Sequence, residues 1–258
     1  MKRSAGAPGL ALLAVVLGCG DPAAPNIPDL SDGSLHLFGV LAANADFHVI
    51  SVNQTDGRPI TRLDAVLSEV APDGSETTVA HATPIEGQGT GYEMVFEAAV
   101  APGHGYRVTV TAPGRPVASA VTTIPADFAI DYIDARGDPP GSAGLEARWT
   151  PSAGAFRYIV TVRAEPDCVT NPGVCEDFGE PWAGVTAATS IDTVVPATAI
   201  PPDRTQGIEV AVYAVNREMF EYFTTGVGGP FTVQPKQNVQ GGHGVVGGWV
   251  RRVRTIRR

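Results

Sequence analysis

The chain has 258 residues, a formal net charge of -9 and only 17% charged residues. That acidity argues against nucleic acid as a partner, because holding phosphate backbones needs a broad basic face. Thirty glycines, 22 prolines and the lack of any sustained helical period give an all-β chain of short strands.

Lys2 and Arg3 precede an apolar run from Leu10 to Leu17 that ends in Val16-Leu17-Gly18-Cys19. The run is far short of the roughly 20 residues a membrane-spanning helix needs, so residues 1–18 read as a cleaved lipoprotein signal peptide. Gly18 fits a peptidase cleft, and the Cys19 thiol is the expected site of a thioether-linked diacylglycerol and of further acyl chains such as palmitate. Each buried methylene contributes about 0.8 kcal/mol, so two or three chains hold a folded domain to a membrane durably. Gly20 follows Cys19, with Asp21 only at the second position, which favours the outer membrane, on its periplasmic or its surface side. Pro22, Pro25 and Pro28 make residues 19–33 a stiff tether.

From residue 34 to 125 the sequence alternates as half-buried strands do. Leu35, Leu37, Phe47 and Val49 begin the pattern, which continues through Leu63–Val70, Tyr92–Glu97 and Tyr106–Ala112. Tyr106, Val108 and Val110 share one face, and Arg107, Thr109 and Thr111 the other. Asp56-Gly57 and Asp73-Gly74 are hairpin turns. Amphipathic sheets bury their apolar faces against each other, so this stretch is an N-terminal β-sandwich of the immunoglobulin-like kind.

Residues 126–235 form a second unit. Leu145, Ala147 and Trp149 alternate into Thr150-Pro151, Phe156-Arg157-Tyr158-Ile159-Val160-Thr161-Val162 follows, and Ile208 to Asn216 alternates again. These stretches resemble strands B, C and F of a fibronectin type III domain. The resemblance implies a second β-sandwich centred on Trp149, with Ile208 where that family carries its corner tyrosine. Cys168 and Cys175 flank Pro172-Gly173, and a local disulfide is expected outside the cytoplasm, worth roughly 2–3 kcal/mol. Metal ligation there would need two more ligands, and no histidine lies nearby.

Residues 236–258 read as a Gly-rich strand followed by a basic C-terminal tail, with Arg251, Arg252, Arg254, Arg257 and Arg258 solvated. Pro230-Phe231-Thr232-Val233-Gln234-Pro235 and then Asn238-Val239-Gln240-Gly241-Gly242-His243-Gly244-Val245-Val246-Gly247 resemble the closing stretch of two-domain Bacteroidota lipoproteins. That family is a domain of unknown function, commonly encoded beside TonB-dependent transporters. The resemblance implies an accessory lipoprotein and carries over no site residue. Gly242 to Gly247 also matches a Gly-x-Gly-x-x-Gly pattern, but no βαβ unit follows, so a dinucleotide is not expected.

No nucleophile elbow, zinc-protease motif or phosphate loop is present, and the histidines at 36, 48, 81, 104 and 243 are scattered. The chain is therefore expected to be no enzyme and to carry no cofactor or metal. Three functions remain: an accessory partner of an outer-membrane transporter, an extracellular glycan- or peptide-binding module, and a structural or adhesive envelope spacer. The second would use Phe178, Trp182 and Tyr222 as an aromatic platform.

Overall fold

A computed structural model describes residues 33–56, 58, 60, 62–86, 91–136, 142–166, 182–196, 205–226 and 236–257. The signal peptide, Cys19, most of the tether, Cys168, Cys175 and Phe178 lie outside these residues, as does Gly57 of the first expected turn.

The chain is nearly all-β, with several sheets. Its first half supplies β1 (Leu35–Ala43), β2 (His48–Gln54), β3 (Asp64–Val70), β4 (Glu76–His81), β5 (Thr83–Glu86), β6 (Tyr92–Phe96), β7 (Gly105–Thr111) and β8 (Ala118–Thr123). The second half supplies β9 (Ile130–Arg136), β10 (Ser142–Trp149), β11 (Arg157–Pro166), β12 (Trp182–Thr186), β13 (Ser190–Pro196) and β14 (Thr205–Val215). A helix, α1 (Arg217–Gly226), a two-residue strand, β15 (Val239–Gln240), and β16 (Gly242–Arg257) complete the chain. The sheets run β12-β11-β14-β16-β1-β2-β6-β5, β15-β8-β7-β3-β4 and β13-β10-β9.

Alternation fixes which faces are buried. On β7, Tyr106, Val108 and Val110 lie in the core while Arg107 and Thr109 face outward. The Tyr106 hydroxyl accepts the Ala101 amide at 2.8 Å and so pins the turn before its own strand. In the second half Trp149 on β10 meets Tyr158 on β11 at 5.2 Å between ring centroids, and the Tyr158 hydroxyl accepts the Ser152 amide at 2.8 Å. The turn at Asp73-Gly74 joins β3 to β4 as expected, with Gly74 at φ +83° and the Asp73 carboxylate accepting the Ser75 amide at 2.9 Å.

Three findings differ from the sequence reading. First, the expected basic tail is a strand: Arg251, Arg252, Arg254 and Arg257 all lie in β16 and pair with β14. Backbone hydrogen bonding to a neighbouring strand outweighs solvation of the arginines, and the long stems of Arg251 and Arg254 leave their heads at the surface. Second, one sheet draws strands from both halves. β16 runs parallel to β1 from Leu35↔Gly242 to Ala43↔Val250, and antiparallel to β14 from Val215↔Trp249 to Gly207↔Arg257. Only Trp249 and Val250 are paired on both edges, so β16 hands over from one half to the other at those two residues. Third, a helix follows β14 where none is expected.

That helix starts at Asn216, which is buried and uses all its polar groups. Its Oδ1 accepts the Met219 amide at 3.2 Å, the N-cap bond, and Nδ2 donates to Thr122 Oγ1 at 2.6 Å and to the Thr123 carbonyl at 3.2 Å. Its own amide donates to the Gly248 carbonyl at 3.1 Å. One residue thus ties α1, the end of β8 and β16 together, the first two through its side chain and β16 through its amide.

Asn238 plays a matching part higher on β16, where no strand among the described residues lies along the edge away from β1. Its Nδ2 donates to the Val246 carbonyl at 2.8 Å and its Oδ1 accepts the Val246 amide at 3.0 Å, so a carboxamide stands in for a strand. The glycines of this stretch serve close approach. Gly247 and Gly248 face opposite sides: a Cβ at Gly247 would lie 2.5 Å from Met219 Cβ, and one at Gly248 would lie 2.7 Å from Ile124 Cδ1.

His48, buried on β2, accepts the Ala42 amide of β1 through Nδ1 at 3.3 Å. Burial lowers its pKa below the usual 6.5, against the opposing effect of the Ala98 backbone. His36 is lowered too, by burial and then by the charge of His243, its register partner across β1 and β16. Because the fold favours the neutral rings, their stabilisation is complete above about pH 6.5 and is lost as the pH falls from there through the folded values. The thermal midpoint should therefore drop between about pH 7.5 and about pH 5.5, and drop less in His48→Gln. Equal drops in the two proteins would show that His48 does not sense the acid.

Candidate functional site

Six aromatic side chains gather at the outer face of the eight-stranded sheet, Phe38 from the first half and Phe156, Tyr213, Phe220, Tyr222 and Trp249 from the second. α1 lies on this face, held by Met219 over Gly247, and leaves ring pairs around it. Tyr222 of α1 meets Phe38 of β1 at 5.5 Å between centroids. Phe220 meets Phe156 edge-on at 5.6 Å, and Tyr213 of β14 meets Trp249 of β16 edge-on at 5.5 Å. All six rings are half-buried.

Guanidinium groups stack on these rings. Arg157 and Arg217 lie 4.2 Å and 4.1 Å from the Phe156 centroid, and Arg251 lies 5.7 Å from Tyr213. Such contacts are worth about 0.5–1 kcal/mol each at exposed sites, and they also hold the arginine heads in place. Carboxylates fix the heads from the other side. Glu209 receives Arg163 and Arg251, each at 3.0 Å, and Glu221 receives Lys236 at 2.8 Å and Arg217 at 3.2 Å. The Lys236 ammonium hydrogen-bonded to Glu221 keeps that carboxyl ionised below the usual carboxylate range, and Arg217 adds to the effect.

The register sets the surface alongside. Ile159 pairs with Val185 on one side and Tyr213 on the other, and Tyr213 pairs with Arg251. Val185 and Val253 are 55% and 41% exposed, so an apolar strip flanks the rings. Half-buried Tyr and Trp with immobilised Arg are the residue types that dominate protein interfaces, because large rigid side chains lose little entropy on contact.

Of the three residues singled out for a ligand platform, the two that are described, Trp182 and Tyr222, do not come together. Tyr222 sits on the outer face against Phe38, and burial raises its phenol above the usual range. Trp182 on edge strand β12 turns the other way, folding over Gly184 toward Ile191 and joining the core. The sheet lies between them, and Phe178 is outside the described residues. Tyr213, Trp249, Phe156 and Phe220 were not legible as a group. The available signal was that Tyr213 occupies the outward phase of β14, where a soluble strand carries polar residues.

Among the described residues no group of three or more His, Cys, Asp or Glu could hold a metal ion, and no helix is long and apolar enough to cross a membrane.

A family described as a domain of unknown function (DUF4249) matches residues 22–254. No curated protein matches the chain. Among solved structures, trypsin-activated alpha-2-macroglobulin from Escherichia coli is 9% identical, with a TM-score of 0.26 over 72% of this chain. The chain spans 14% of that protein.

Proposed function

The chain belongs to the DUF4249 family, and on that premise we propose that it is a non-enzymatic, lipid-anchored protein of the cell envelope that works by contact, as an accessory partner of an outer-membrane transporter. The observation that carries the reading is the ring-and-guanidinium surface around α1, a surface chemistry suited to a protein partner. Anchoring rests on Leu17-Gly18-Cys19 behind a short apolar run. A transporter of the TonB-dependent kind is the partner that the closing-stretch resemblance implies.

The architecture we infer is a pair of β-sandwiches, the second of the fibronectin type III kind. Strand order supports it: β9, β10 and β13 take the places of that fold's A, B and E, and β11, β12, β14 and the end of β16 those of C, C′, F and G. Sharing β16 would make the pair one stiff body, able to hold the aromatic surface at a fixed distance from a bilayer.

Photo-crosslinking from position 213 in intact cells, followed by identification of the adduct, tests the contact. A barrel transporter is expected in the adduct, and its absence would refute the accessory role. The mass of the Cys19 peptide from the same cells separately tests the anchor: a diacylglyceryl addition is expected, and a free thiol would exclude it.

A further inference from the structure

A concavity of about 290 Å³ opens where the described chain begins, at Gly33. Asp56 sits in its wall, with Arg58 and Arg115 on either side and the turn Pro113-Gly114 beside them. Arg115 is nearly buried and works as a clasp. It donates to the Gly33 carbonyl at 2.7 Å, to the Arg58 carbonyl at 2.8 Å and to Asp56 Oδ1 at 2.9 Å.

Both oxygens of the Asp56 carboxylate are engaged. Asp56 Oδ1 also takes the Arg58 amide at 3.1 Å, and Oδ2 faces Arg58 Nε at 3.2 Å. Burial alone would raise the Asp56 pKa, but the Arg58 amide, the Arg115 hydrogen bond and the two guanidinium charges outweigh it and hold the carboxyl ionised. What Arg58 still offers is donors. The Arg58 side chain is 83% exposed and directs only Nε at Asp56. Among the described residues lining the concavity, two guanidiniums face one carboxylate, a local excess of positive charge in a chain whose net charge is -9. A concave, donor-rich rim with a forked cation suits a tetrahedral oxyanion.

The place of the site in the chain narrows its ligand. Gly33 is 14 residues after Cys19, and a chain of that length spans at most about 50 Å. With Cys19 in a bilayer, the rim stays within reach of headgroups. We propose that the concavity at Asp56, Arg58 and Arg115 is a phosphate-binding site whose ligand is the headgroup phosphate of an anionic lipid, a choice of source that rests on the lipid-anchored reading. Binding there would turn the Gly33 end of the body toward the membrane and fix the direction in which the aromatic surface points.

The test uses the full chain with Cys19→Ser, so that acyl insertion cannot mask a weaker contact. Inorganic phosphate is one probe, followed by the amide chemical shifts of Gly33 and Gly114. Phosphatidylcholine vesicles with and without phosphatidylglycerol are the other, followed by co-sedimentation at low salt, where surface charge is least screened. Phosphate should shift both amides, and the anionic vesicles alone should retain the protein. Arg58→Glu should weaken both responses roughly 25-fold, since each surface charge is worth about fivefold and reversing one changes the charge by two. Arg254→Glu, about 40 Å along β16, should change neither, which separates the site from general attraction to the arginines of that strand.

A phosphate response lost in Arg58→Glu without vesicle retention would uphold the site and assign it a soluble phosphate ester. Unmoved amides, or vesicle retention indifferent to Arg58→Glu, would overturn the proposal. The mass of the Cys19 peptide is read independently, so a failed anchor and a failed phosphate site are told apart.

Discussion

A chain ended after Pro235 should fail to fold cooperatively in either half. The truncation removes β16, which borders β1 over nine residue pairs and β14 over nine. Val245, Val246 and Val250 are fully buried, and at about 1.5–3 kcal/mol each their loss costs roughly 5–9 kcal/mol, much of the 5–15 kcal/mol that holds a typical domain together. The edges of β1 and β14 would also lie open, inviting pairing between molecules. Urea unfolding of the truncated chain, followed by circular dichroism and by tryptophan fluorescence, should lack a sigmoidal transition, with soluble yield falling sharply. A cooperative transition near the full-length midpoint would mean that each half is stable without the shared strand.

Gly244→Val should cost about 3 kcal/mol or more. Gly244 has φ +104°, and a Cβ there would lie 1.9 Å from the Leu37 carbonyl oxygen. The strained backbone costs of order 1–3 kcal/mol and the overlap a comparable amount, because Leu37 belongs to β1 and is fully buried, with no room to yield. Gly74→Ala is the control: φ is +83° but nothing lies within 4 Å of the added atom, so only the conformational cost of about 1 kcal/mol remains. The difference in urea midpoint between the two variants isolates the close approach of β16 to β1. Equal losses would show that backbone conformation alone makes Gly244 necessary.

The outer-face aromatics illustrate why a candidate site can be hidden from a linear reading. Trp182 and Tyr222 look alike in sequence, as aromatics available for a ligand platform. Their fates were set by the phase of β12, which turns Trp182 inward, and by Asn216, whose side chain starts a helix and lifts Tyr222 onto the opposite face. Phe156 and Phe220 are 64 positions apart and meet only because α1 returns over the start of β11. No local period encodes such a meeting.

Local chemistry did settle several things. The alternation of Tyr106, Val108 and Val110 determined a strand and its buried face, since a two-residue repeat is a property of the chain's own geometry. Asp73-Gly74 determined a turn for the same local reason. The role of the closing stretch was decided only in three dimensions. Its glycines announce a tight approach but not the partner, because Leu35 to Ala43 become its neighbours from 207 positions away and Gly207 to Val215 from 34 to 50. Strand pairing is satisfied by any backbone in register, so the choice falls to the packing on both faces, here Ile124 beneath Gly248 and Met219 above Gly247.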